Sequence, residues 1–184
     1  MQLELELLTP PGAGPSGYLV TRPLREHRWC NRLMARVQYT RRYFPELNGE
    51  TIKVGLTRQA SGMAVPGGTE LWLNPAQISY HTIAHEFVHL LQKRDLGIPQ
   101  GERACDLYSL ARHWTLNDVF PAYVKVPRSL VDTRGFFGEQ AARLVFSAAS
   151  EAVGRRHRGM RHYISWFEAR LEELAHPLPL PPVS

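Results

Sequence analysis

The sequence predicts an α+β fold: a small, mainly antiparallel sheet packed on an apolar central helix and on a second, Glu-bearing helix, with additional helices towards the C-terminus. Three observations carry this expectation. Short runs of aliphatic, β-branched and aromatic residues between positions 51 and 73 are separated by Gly and Pro, as strands of a sheet are. Positions 80–94 are apolar on most sides of a helical wheel, the mark of a central, buried helix. Positions 138–174 carry apolar residues at helical spacing.

Along the chain, Leu3-Glu4-Leu5-Glu6-Leu7 alternates with the period of a half-buried strand, and the Pro/Gly-rich stretch 10–17 that follows reads as a loop. From about Leu24 to Tyr43, Trp29, Leu33, Val37 and Thr40 recur at helical spacing, which predicts one amphipathic helix ending near Pro45. Positions 51–56, 62–65 and 70–73 are expected to form three short antiparallel strands. Ser79 caps a helix expected to run to about Arg94 and to stop at Gly97 and Pro99, and Ile83, Ala84, Phe87, Val88, Leu90 and Leu91 bury it. The next helix starts near Gly101 and continues through Leu107, Leu110 and Ala111 towards Trp114; a Pro-bounded connection, 121–128, follows. Two more helices are expected at 138–153 and 159–174, the second carrying Tyr163, Ile164, Phe167 and Leu171 on one side. A single domain over 1–176 and a Pro-rich tail over 177–184, a candidate cover for a cleft, complete this organisation.

Composition narrows the function classes. With 184 residues and 43% hydrophobic content, the chain can bury the core of one ordinary domain and is not disordered. No run of 18 uncharged apolar residues occurs, and no basic segment followed by an apolar one opens the chain, so a soluble, unexported protein without a membrane partner is expected. Two cysteines, Cys30 and Cys105, are too few for a disulfide scaffold and suit a reduced cytoplasmic setting. A net charge of +5 attracts acidic surfaces or nucleic acid weakly, but the Arg residues are scattered rather than massed.

The chemistry concentrates in His85-Glu86-Phe87-Val88-His89. Two imidazoles four residues apart on a helix project from one face and can bind one ion, which points to a single zinc. Glu86 lies about 100° round the helix, where it reaches a metal-bound water rather than the metal, so it is the expected general base. A random arrangement of this composition gives H-E-x-x-H only roughly 2–3% of the time. A catalytic zinc also wants a third protein ligand and an open position. Glu102 and Asp106, four apart at the start of the next helix, are the candidates downstream: Glu102 as ligand, Asp106 as the acceptor that fixes the tautomer of a ligand imidazole, expected to be His85. Cys105 or Asp106 as the direct ligand stays open. His81 extends the His face by another turn, but three His so spaced span about 12 Å, too far for one ion.

H-E-F-V-H followed after 12 residues by E-R-A-C-D resembles the gluzincin pattern of zinc peptidases, in its minimal, small form, over roughly 51–114, about a third of the chain. The resemblance implies a metallopeptidase acting on peptide or protein substrates, with His85, His89 and Glu102 on zinc, Glu86 as base, and a strand such as 70–73 pairing with the extended substrate. The chain departs from the thermolysin-like group in its shorter interhelix linker and in lacking a separate downstream domain to supply the oxyanion-binding His. Tyr163 is the first candidate for that role, beside His162, Tyr123 and His157. No His follows His89 until His113, which excludes the metzincin pattern. Two other function classes compete: a nucleic-acid-associated protein using Arg128, Arg134, Arg155, Arg156, Arg158 and Arg161, and a structural zinc module that only staples the fold.

Overall fold

The computed structural model describes residues 17–175. The strand expected at 3–7 and the tail 177–184 lie outside the described residues, and the loop expected at 10–17 is described only at Gly17. The chain divides into two compact units, Met1–Gln100 and Gly101–Ser184. Helices and a small sheet together make the α+β fold that the sequence predicts.

Among its described residues the first unit holds four strands, β1 (Tyr18–Val20), β2 (Ile52–Leu56), β3 (Gly62–Ala64) and β4 (Glu70–Leu73), in the order β1-β2-β4-β3. The expected antiparallel arrangement holds only for β3 with β4; β1 with β2 and β2 with β4 are parallel. Burial explains the order. Ile52 and Val54 of β2 and Leu71 and Leu73 of β4 are wholly buried, so these two strands take the centre. β3 offers only Gly-Met-Ala, leaves Met63 43% exposed, and lies at the edge. Consequently β4, the strand the sequence offered to a substrate, is paired on both sides and has no edge to give; β3 has one.

Three helices accompany the sheet: α1 (Arg22–Arg25), α2 (Cys30–Arg41) and α3 (Tyr80–Leu91). The single helix expected from Leu24 to Tyr43 is broken between α1 and α2, where the Trp29 N–H turns to His27 Nδ1 at 3.2 Å instead of continuing the helical ladder. Leu33, Met34, Val37 and Thr40 form the buried stripe of α2. Its last residue, Arg41, gathers three carbonyls: Nη1 donates to Gly17 at 2.9 Å, and Nη2 donates to Leu47 at 2.6 Å and Glu50 at 2.7 Å. α3 packs on α2, β3 and β4, and Phe87 meets Phe44 edge to face at 5.2 Å.

Ser79 caps α3 as expected, its Oγ accepting the Thr82 N–H at 2.9 Å. Ser79→Ala is expected to lower stability by about 1 kcal/mol, read as a lower urea midpoint; an unchanged midpoint would show that the cap contributes nothing. α3 ends at Leu91, short of the expected Arg94, because Gln92 is already extended and Lys93 takes a positive φ of 62°. Arg94 then folds back onto the Glu50 carboxylate and donates to the Gly68 carbonyl at 3.2 Å.

The second unit is helical: α4 (Glu102–Leu110), α5 (Glu139–His157) and α6 (Tyr163–Ala175), with 3-10 turns at Trp114–Leu116 and Arg128–Leu130. α5 runs about a turn past the expected Val153, while α6 begins after Gly159, whose φ of 96° reverses the chain. Ala142, Val145, Ala149 and Ala152 of α5 are buried together with Leu107 and Leu110 of α4 and Phe167 and Leu171 of α6; their small size suits close helix packing. Asn117 ties α4 to α5 through hydrogen bonds to the Leu110 and Ala142 carbonyls. The connection at 121–128 has no regular structure before its 3-10 turn, as the prolines imply. Among the described residues no helix is long and apolar enough to cross a membrane.

Candidate functional site

The His pair sits where the helical period puts it. His85 and His89 lie one turn apart on α3 with ring centroids 5.0 Å apart, and His81 continues the row, 6.4 Å from His85. All three are buried, as is Glu86. Glu86 projects beneath the edge strand: a Cβ on Gly62 would sit 2.7 Å from both Cγ and Oε1 of Glu86. Only a glycine at this place in β3 leaves the carboxylate its room. The β3–β4 loop also reaches α3, the Gly67 N–H donating to the His89 carbonyl at 3.0 Å.

His89 has a partner the sequence reading missed. Gln92 is 1% exposed, its Oε1 lies 2.9 Å from His89 Nδ1, and its Nε2 donates to the Pro99 carbonyl at 2.8 Å. The available signal was a Gln three residues after the second His, a spacing that brings it back to the same face. Gly62 was equally unmarked, since it falls in a run that reads merely as a weak strand.

Within the second unit, Gly101 turns the chain into α4 at a φ of 102° and Glu102 is the first helical residue, exposed. Arg103 beside it pairs with Glu168 of α6 at 2.6 Å, and the same Glu168 oxygen accepts the Lys125 N–H. Cys105 and Asp106 are buried. Asp106 Oδ2 accepts the N–H groups of Tyr123 and Val124, so this carboxylate shapes the segment that follows Pro121. The buried His81, His85, His89, Cys105 and Asp106 each offer a ligand atom of a type that binds metal ions.

Tyr163, the first residue of α6, is buried, and the Arg156 guanidinium stands 5.7 Å from its ring. Burial raises the Tyr163 pKa, against the lowering pull of Arg156 and Arg103. Tyr108 of α4 is pushed up to about 12 by burial, with Tyr163 adding to the shift. Tyr108 reaches His157 Nε2 at 3.5 Å, while His162 and His157 are exposed and Tyr123 is half exposed.

No protein-family model, curated protein sequence or solved structure matches the chain.

Proposed function

We propose that the chain is a zinc-dependent metallopeptidase that hydrolyses peptide bonds, with His85 and His89 holding one zinc ion and Glu86 as general base. The observation that carries this reading is the buried α3 face, with two imidazoles side by side and a carboxylate between them in sequence, lodged against a glycine of an edge strand. Two imidazoles one helical turn apart on a buried face are a donor set of the kind zinc takes. Bound zinc supplies a Lewis acid that polarises a carbonyl and acidifies water.

The remaining work falls to the chain's own groups. Glu86 takes the proton from the attacking water and passes it to the leaving amine. β3, at the edge of the sheet among the described residues, offers backbone N–H and C=O groups to an extended peptide. Tyr163 as the donor to a developing oxyanion is an assignment from the sequence alone. Assignment of Glu102 as third ligand and of Asp106 as acceptor for the His85 imidazole rests on the H-E-x-x-H, 12-residue, E-x-x-x-D spacing alone. The nucleic-acid reading is less favoured, because Arg134 and Arg155 are engaged by Asp132 and Glu151.

Purified protein is expected to contain one equivalent of zinc and to cleave an unstructured casein-like substrate, to lose that activity on chelation, and to regain it when zinc is restored. Protein that neither contains nor takes up zinc would sink the proposal; zinc whose removal unfolds a protein without activity would favour the structural module instead.

A further inference from the structure

The contacts of Gln92 determine which nitrogen of His89 carries the proton. The Pro99 carbonyl only accepts, so the Gln92 amide must turn its NH₂ towards it. That leaves Oε1, an acceptor, facing His89 Nδ1 at 2.9 Å. The imidazole therefore carries its proton on Nδ1 and keeps the lone pair on Nε2.

The acceptor is itself held in place. Gln92 is almost wholly buried. Its own N–H returns to the carbonyls of Val88 and His89, and Arg94, two residues on, is fixed to Glu50 and Gly68. Pro99, which sets the direction of the amide, closes the segment 93–99.

We infer that Gln92 is a positioning residue that fixes His89 as the Nδ1–H tautomer and presents Nε2 to a zinc-type cation, and that the segment ending at Pro99 governs the affinity of the site through this amide. The metal half of the inference rests on the proposed function; the tautomer half does not.

The test uses the full chain in two measurements. The first is nitrogen NMR of the metal-free protein at a pH where His89 is neutral. Wild type is expected to show His89 protonated at Nδ1, and a ring protonated at Nε2 overturns the inference whether or not any variant folds. The second is zinc titration against a chromophoric chelator. Gln92→Leu is expected to bind about 10- to 100-fold more weakly than wild type and to lose the tautomer preference. Gln92→Glu, which still accepts from Nδ1 but cannot donate to Pro99, is expected to keep the tautomer and to bind with intermediate affinity. Equal affinity in wild type and Gln92→Leu overturns the metal half. Wild type that binds no zinc defeats the proposed function while leaving the NMR result to decide the role of Gln92.

Discussion

Glu86→Gln is expected to keep its zinc and to lose peptide hydrolysis by about 10²- to 10⁴-fold in kcat. Glutamine has the shape of glutamate and fits the same place beneath Gly62, so α3 and its imidazoles are not disturbed. What disappears is a base able to take a proton. Because Glu86 is buried, water does not readily replace its carboxylate as the acceptor. The measurement is kcat on an unstructured substrate alongside zinc content: full activity with full metal would show that Glu86 is not the base, and lost metal would show that it acts as a ligand or structural support.

Gly62→Val is expected to reduce kcat by about 10²-fold, with zinc content unchanged. A Cβ at position 62 lands 2.7 Å from the Glu86 Cγ and Oε1, a separation that real Cβ contacts do not show. One of the two must move. Among the described residues β3 is a three-residue strand at the sheet edge, and Glu86 has rotatable side-chain bonds, so the shift divides between a displaced carboxylate and a lifted strand. Either change misplaces the base relative to a substrate lying along β3. Gly62→Ala has a shorter side chain and is expected to fall between wild type and the Val variant; wild-type kcat in both would show that the carboxylate does not need this space.

What could be read from the sequence was whatever repeats with a short period. α3, its Ser79 cap and its two imidazoles were legible because every fact needed lies within thirteen residues and one helical face. The helices of the second unit were legible for the same reason, with ends displaced by a turn where glycines and a positive φ decide them. Strand order was not legible. Alternation assigns each strand a face but not a neighbour, and the long excursion through α2 that makes β1 and β2 parallel leaves no local mark. β1 itself was missed: three residues, Tyr18-Leu19-Val20, are too few to show a period. The supporting shell was missed for a different reason. Gly62 and Gln92 matter through what lies opposite them, and that is a property of tertiary structure.

The guanidinium that closes α2 sets how the margin of the sheet gives way. Gly17 O accepts from the Ile52 N–H at 2.8 Å as well as from Arg41, so the start of β1 and the start of β2 lean on one planar fork. A lysine there would place its charge at a single point and leave some of the three converging oxygens unmet. Without that fork, β1 would rely on its ladder with β2 and on the buried Tyr18 and Leu24 side chains, and the segment from Gly17 through α1 would open as a subglobal unit while α3 stayed folded.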